Sequence, residues 1–320
     1  PHATPWRADS GREIAASATP SRGGRDPEVH PGGIEPIVEG SGLLWPMSAM
    51  YVCCMSRRSV RERLTDAAPQ ASNRMMIGFL RKVFGPNAYI RDGLVSLHRH
   101  SFMHDPAFQR AYQRGMQATG GIDPYNWQWR VHVALWASAN ASRLDGDFVE
   151  CGVNYGFMSS AIMENLDWDR LGKTFYLLDT FTGLDPRFIT AGERESGALE
   201  TSQAHLRDGL YVDSVDSVRA NFAQWRNHRI IVGAVPETLD QVDAEKVAYL
   251  HIDMNCAPPE VAALRHFWPR LTPGAYVLLD DYANRGREEQ RDAMDEVSKE
   301  LGVPICTLPT GQGLLIKPAS

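Results

Sequence analysis

A chain of 320 residues, 43% hydrophobic and 22% charged, is long enough to bury a large core, and one domain with an appendage is the expected organisation. Its net charge of −6 argues against nucleic acid or an anionic membrane as partner, since phosphate binding needs clustered positive charge. Five cysteines (Cys53, Cys54, Cys151, Cys256, Cys306) with no CxxC spacing argue against a disulfide framework or a zinc site.

Residues 1–45 are rich in Pro, Gly, Ser and Ala and lack hydrophobic periodicity, so they cannot offset their ordering entropy. Residues 1–74 are therefore expected to be a disordered or non-native segment, with the native start at Met47, Met50, Met55 or Met75. The apolar stretch from Gly42 to Met55 is about 14 residues and contains Pro46, too short and interrupted to cross a bilayer. No leader pattern precedes it, so the expected location is the cytoplasm. Residues 75–145 read as a helical subdomain or lid. Met76, Phe79, Leu80 and Val83 share one helical face, Phe108 to Gly115 form a second segment, and Trp129 to Leu144 a third with Val131, Leu135, Trp136 and Ala139 on one side.

From 146 to 320 short apolar runs alternate with helical patterns, the mark of βα units on a parallel sheet. The expected strands are Phe148-Val149, Thr174–Leu178, Arg229–Val232, Val247–Ile252, Ala275–Leu279, Val303–Leu308 and Leu314–Lys317. The expected helices are 156–166, 203–223, 237–243, 259–269 and 286–301. The fold class is α/β: a doubly wound seven-stranded sheet, mostly parallel with an antiparallel last strand, and a helical N-terminal extension.

The first run enters a glycine turn and then a helix. Gly152 and Gly156 permit close backbone approach to a ligand. The spacing is Glu150-x-Gly152-x-x-x-Gly156, not the G-x-G-x-x-G of a pyrophosphate site. An acid at that point suits a ligand with a positive amine and no phosphate, such as S-adenosylmethionine; a purely structural glycine turn is the bland alternative. Asp179, 27 residues beyond Gly152, ends the next strand, where an acid can accept both ribose hydroxyls or simply cap a helix. Asp253 ends the fourth strand, and Asp280 and Asp281 end the fifth. Carboxylates brought together there repel unless a cation neutralises them, and oxygen donors suit Mg²⁺, Mn²⁺ or Ca²⁺. Capping and solvated loop acids are the alternative.

With these residues in view, the chain from about Ile90 onward resembles the TylF/MycF-type macrocin O-methyltransferases, a class I group that includes enzymes tailoring sugar hydroxyls of natural products. The resemblance is carried by Asp147–Gly156, Leu177–Gly183, Val235–Leu239, His251–Asp253, Phe267–Gly274 and Leu279–Tyr282. It implies a Rossmann-like methyltransferase sheet, S-adenosylmethionine near Glu150, Gly152, Tyr155, Gly156, Asp179 and Thr180, and a divalent metal, usually Mg²⁺, on Asp253, Asp280 and Asp281. The implied acceptor is a small hydroxylated molecule, a sugar or glycosylated metabolite. One departure stands out. The family has His-x-Asp-x-Asp, its second acid taken as general base, whereas this chain has His251-Ile-Asp253-Met-Asn255. Asparagine cannot accept a proton, so catalysis at His251 and Asn255 leaves three outcomes: another base (His251 or a substrate-loop residue), metal activation of an acidic hydroxyl, or lost activity.

His98, His100 and His104 are read as surface residues, not a metal site. Tyr125, Trp127, Trp129 and Arg130 read as a helix start packing on the core, with a wall over the cofactor as the functional alternative. The long charged stretch Gly183–Leu210, with Glu193, Arg194 and Glu195, reads as a lid over the substrate or a solvated insertion. Thr307–Ile316 reads as the closing hairpin, with Gly311 and Gly313 in its turn. The apolar N-terminal helices could pair subunits in a homo-oligomer. Two rivals stay open: a nicotinamide-dependent oxidoreductase, and a catalytically silent cofactor-binding protein of the same fold.

Overall fold

The computed structural model describes residues 69–85 and 88–319; the expectations for residues 1–68 lie outside them. The described part opens with helix α1 (Pro69–Phe84), whose Phe79 and Val83 face outward, 65% and 58% exposed. A hairpin follows, β1 (Tyr89–Arg91) and β2 (Leu94–Ser96). Its two-residue turn is Asp92-Gly93, with φ of 49° and 70°, the left-handed pair that hairpin twist demands. Helices α2 (Pro106–Ala118) and α3 (Gln128–Ala141) complete the N-terminal part. Asp105 caps α2 by accepting from the Ala107 amide, and Pro106 fills the first turn, where no amide is needed. The described residues lie in one compact unit, in which α2 packs on α4 and α3 on the sheet.

The α/β part runs β3 (Asp147–Cys151), α4 (Phe157–Leu166), β4 (Phe175–Asp179), α5 (Ala191–Glu195), α6 (Ala198–Arg207), α7 (Val215–Phe222), β5 (His228–Val232), β6 (Val247–Ile252), α8 (Ala257–Phe267), β7 (Leu271–Leu279), α9 (Glu288–Leu301), β8 (Cys306–Thr307) and β9 (Gly313–Ile316). Seven strands form one sheet in the order β5-β4-β3-β6-β7-β9-β8. The first five are parallel, and β9 is antiparallel to both β7 and β8. The expected doubly wound sheet is therefore present. Side chains alternate between faces as a pleat requires. Phe148, Phe175, Leu177 and Leu278 join one core with α2, α3, α4 and α7, while Val149, Tyr176, Leu178, Leu250 and Leu279 join another with α8 and α9. Strand order reverses between β3 and β6, which opens a crevice at their C-terminal ends.

Several local expectations change. The helix expected over 203–223 is two helices, α6 and α7. The chain between them passes through Gly209 at φ 72° and is pinned by Asn154, which donates to the Leu210 carbonyl at 2.9 Å and accepts from the Val212 amide at 2.8 Å. The helix over 237–243 shrinks to a single turn, Leu239–Gln241. Trp136 is half-exposed against the edge of Tyr276, not in the core with Val131 and Leu135, because its neighbours Ala134, Ala137 and Ser138 take the inner face. The strand over 303–308 is only Cys306–Thr307. Among the described residues no helix is long and apolar enough to cross a membrane.

Candidate active site

Two clefts meet at the C-terminal edge of the sheet. The first lies over Gly152, Asp179 and Thr180 and continues along Leu184, Phe188 and Gly233–Val235. The second is walled by Tyr125, Trp127, Arg130, Glu150, Tyr155, His205, Asp280, Asp281 and Arg287. They share Gly152, Asn154, Tyr211, Asp253 and Asn255, so a molecule in one would touch a molecule in the other there.

The glycine turn makes this junction. The Gly152 amide donates to Leu178 and the Asp253 amide to Cys151, both at 2.8 Å, which draws the ends of β3, β4 and β6 together. Gly152 stands at φ 92°, and a Cβ there would lie 2.5 Å from the Asp253 carbonyl carbon and closer still to its oxygen. No other residue fits. Gly156, at φ 83°, caps α4, and a Cβ on it would strike the Phe222 ring. It lines neither cleft, and it packs directly under Phe222.

Asp179 ends β4 and faces the first cleft. Its Oδ2 accepts from the Val153 and Asn154 amides at 2.8 and 2.7 Å, and Oδ1 accepts from Phe181 at 2.7 Å. The carboxylate thus clamps the glycine turn to the second strand, a task the sequence reading did not give it. Thr180 donates to the Gly183 carbonyl at 2.7 Å, shaping the start of the following loop. Glu150 and Tyr155 line the second cleft, not the first. Tyr155 donates to Gly209 at 3.2 Å. Glu150 accepts from His251 Nδ1 on Oε1 at 2.8 Å, and its Oε2 is buried without a partner.

His251 is wholly enclosed and lines neither cleft. Burial works against its charge, but Asp280 and Glu150 outweigh this and push its pKa up to about 10. A group already protonated at neutral pH and out of reach of both clefts is poorly suited to take a proton from an acceptor. Asn255 is held by Arg287, which donates to its carbonyl at 2.8 Å and its Oδ1 at 2.5 Å, and it donates in turn to Asp253 Oδ1 at 3.1 Å. Burial, with Asp280 and Asp281 nearby, raises the Asp253 pKa well above the carboxylate range.

The three acids do converge on the second cleft, yet they do not present a vacant oxygen cage. Arg130 Nη1 lies 2.7 Å from Asp280 Oδ2 and 3.4 Å from Asp281 Oδ1, and Gln312 donates to Asp280 Oδ1 at 2.8 Å. Among the described residues no group of three His, Cys, Asp or Glu side chains is arranged to hold a metal ion; that includes His98, His100 and His104. This arrangement does not fit a divalent ion.

The sequence reading missed two features. His205, near the end of α6, lines the second cleft with its ring edge-on to Tyr211 at 4.9 Å and its Nδ1 buried without a partner. Burial, with Arg287, holds its pKa below the usual histidine value. Pattern reading had no handle on it, because only the return of the loop over Asn154 brings it to the cleft. The loop itself carried a legible signal. Thr190-x-x-Glu193 is a capping box, with both reciprocal bonds present. Glu193 is buried, not a solvated charge, and its Oε1 accepts from Ala257 at 2.6 Å, docking the loop on α8. In the aromatic cluster, Tyr125 and Trp127 line the second cleft while Trp129 packs with Tyr89 and Phe102.

A model of the macrocin-O-methyltransferase (TylF) family matches residues 131–305. The 8-demethyl-8-(2,3-dimethoxy-alpha-L-rhamnosyl)-tetracenomycin-C 4'-O-methyltransferase of Streptomyces olivaceus is 26% identical over 56% of this chain and 66% of its own. Demethyldecarbamoylnovobiocin O-methyltransferase of Streptomyces niveus is 22% identical over 64% and 80%. Mycinamicin III 3''-O-methyltransferase of Micromonospora griseorubida is 25% identical over 45% and 58%. The chain thus spans less than two thirds of the first and third of these relatives. The solved O-methyltransferase NovP superimposes with a TM-score of 0.55 at 20% identity, over 68% of this chain and 99% of that one, which supports the fold. With its sheet order, its glycine turn and a family match over more than half its length, the chain belongs to the macrocin-O-methyltransferase (TylF) family.

Proposed function

We propose that the protein transfers a methyl group from S-adenosylmethionine to a hydroxyl of a small sugar or glycosylated acceptor. The observation that carries this reading is the meeting of two clefts at Gly152, Asp253 and Asn255, one beside the strand-end acid Asp179. The named relatives methylate hydroxyls of glycosylated compounds, which supports the acceptor class. The residues suit the cofactor: Gly152 lines both clefts with no side chain to obstruct a ligand, and Glu150 Oε2, on the second cleft, is a buried acceptor lacking a partner that a positive amine reaching across the junction would satisfy.

The cofactor supplies an electrophilic methyl on a sulfonium. When it is bound, the acceptor oxygen would displace it from that methyl, the electron pair of the broken C–S bond staying on sulfur and the hydroxyl proton having to leave. The chain's contribution is position and proton handling. Asp179 holds the turn and lines the first cleft, where it would accept from the cofactor's ribose hydroxyls. Tyr211, shared by both clefts, and the loop pinned by Asn154 border the junction. Asn255 orients Asp253 and takes no proton. His205, neutral at physiological pH because its pKa is lowered, accepts the proton. No step passes through a metal. Pairing of subunits through the exposed apolar face of α1 remains a separate proposal.

The test is transfer of a labelled methyl to a panel of free sugars, nucleotide-linked sugars and glycosylated polyketides. Acceptors should gain one methyl on oxygen, and His205→Gln should lower kcat by about 10²- to 10⁴-fold while the KM for the cofactor stays near native. Native rates in His205→Gln across the acid range would refute the proton assignment. A protein that binds the cofactor and methylates nothing would favour the silent reading that Asn255 permits.

A further inference from the structure

Arg130 is the most heavily engaged side chain of the site. It is 6% exposed. Nε donates to Asp92 at 2.8 Å, Nη1 to the Asp280 carbonyl at 2.9 Å and its Oδ2 at 2.7 Å, and Nη2 to Asn284 at 3.1 Å; Asp281 lies 3.4 Å from Nη1. The side chain springs from α3, which packs on β6 and β7, and Asp92 grips it from the hairpin turn. Its position is therefore fixed by three separate elements.

The two strand-end acids it touches, and Asp253 beside them, also accept from other protein donors. Asp280 Oδ1 accepts from Gln312, Asp281 Oδ1 from Asn284, and Asp253 Oδ1 from Asn255. Asp281 Oδ2 lies 3.7 Å from Arg287 Nε. A divalent ion such as Mg²⁺ needs oxygen lone pairs aimed at one point about 2.0–2.1 Å away. Here a guanidinium stands among those oxygens. A cation in this place neutralises carboxylates that cannot otherwise share a small volume. A planar fork of donors on the chain meets that need at fixed stoichiometry, and Arg keeps its charge at any working pH.

We propose that the guanidinium of Arg130 is the resident cation of the second cleft in place of a divalent metal, so that the chain itself neutralises and orients Asp280 and Asp281 and the cleft loads no metal ion. The inference concerns the acid cluster alone and stands or falls separately from the methyl-transfer reading.

The experiment is titration of the chelator-treated protein with Mn²⁺, read by electron paramagnetic resonance, for the native chain, Asp280→Asn and Arg130→Ala. The native chain should bind no more Mn²⁺ than Asp280→Asn does. Arg130→Ala, its fold checked by circular dichroism, should gain one site at least about tenfold tighter, because Asp280 and Asp281, freed beside Asp253, offer the oxygen donors a hard ion takes. One native site tighter than about 0.1 mM that Asp280→Asn removes would overturn the proposal. So would a folded Arg130→Ala that still binds nothing, since the acids would then be no metal set for Arg130 to replace. If Arg130→Ala fails to fold, the comparison of native with Asp280→Asn decides alone. Calorimetry with S-adenosylmethionine in chelator reports the methyl-transfer reading independently: lost cofactor binding would sink that reading and leave the Mn²⁺ result standing.

Discussion

Gly152→Ala places a methyl group where the backbone of the neighbouring strand already stands. The native φ of 92° lies in the left-handed region, which costs a residue with a Cβ roughly 1–2 kcal/mol. The new Cβ would also sit 2.5 Å from the Asp253 carbonyl carbon and 3.1 Å from the Met254 nitrogen. Backbone cannot turn aside as a side chain can, so the clash adds roughly 2–3 kcal/mol, the upper range for overpacking. The sum, about 3–5 kcal/mol, is a large part of a typical domain's stability of roughly 5–15 kcal/mol. Gly302→Ala is the control: its φ is 65° with nothing within 4 Å of the added carbon, so only the conformational term of about 1 kcal/mol applies. Urea unfolding followed by circular dichroism should rank the variants native, Gly302→Ala, Gly152→Ala, with at least about 2 kcal/mol between the last two. Cofactor binding should also vanish in Gly152→Ala, because β3 and β6 must part at the junction of the clefts. Equal stability of the two alanine variants would refute the close-approach argument.

Asp179→Asn should weaken S-adenosylmethionine binding by about 10- to 150-fold, since each charge-assisted bond to an amide contributes roughly 1.5–3 kcal/mol and an asparagine cannot accept from both sides; calorimetry within threefold of native would contradict the clamp. Glu260→Gln tests the turn that carries Asn255. Glu260 Oε1 accepts from the Met254 and Asn255 amides and from Gln290, and burial raises its pKa from 4.5 to about 8. The folded chain thus holds a proton that the unfolded chain releases, so native stability falls as pH rises from about 4.5 through about 8. Glutamine keeps the acceptor and removes the charge, so the variant should match the native chain near pH 4.5 and exceed it above pH 8, by about 2–4 kcal/mol against a ceiling of about 5. Parallel unfolding curves across that range would show that Glu260 is ionised in the folded chain.

The sheet was legible because its strands are buried on both faces and read as short apolar runs, as Val247–Ile252 does with every residue buried. The glycine turn, Asp179 and the strand-end acids were legible for the same reason, since strand ends in a parallel sheet fall on one edge. Arg130 was not. Its partners Asp92, Asp280 and Asn284 are 38, 150 and 154 residues away, and nothing local distinguishes it from an ordinary helix-start arginine. The hairpin around Asp92-Gly93 did carry a signal, a DG pair between apolar positions, that the helical reading of residues 75–145 passed over. His251 shows the limit of motif reading in the other direction: a polar residue in a family motif that tertiary packing seals between Glu150 and Asp280.

The central claim is that the first cleft takes S-adenosylmethionine, and calorimetric titration of the native chain with S-adenosylmethionine and with S-adenosylhomocysteine tests it most directly. The account predicts one site for each ligand, with a dissociation constant on the order of micromolar and weakened for both by Asp179→Asn. No heat with either ligand, or binding indifferent to Asp179, would contradict it.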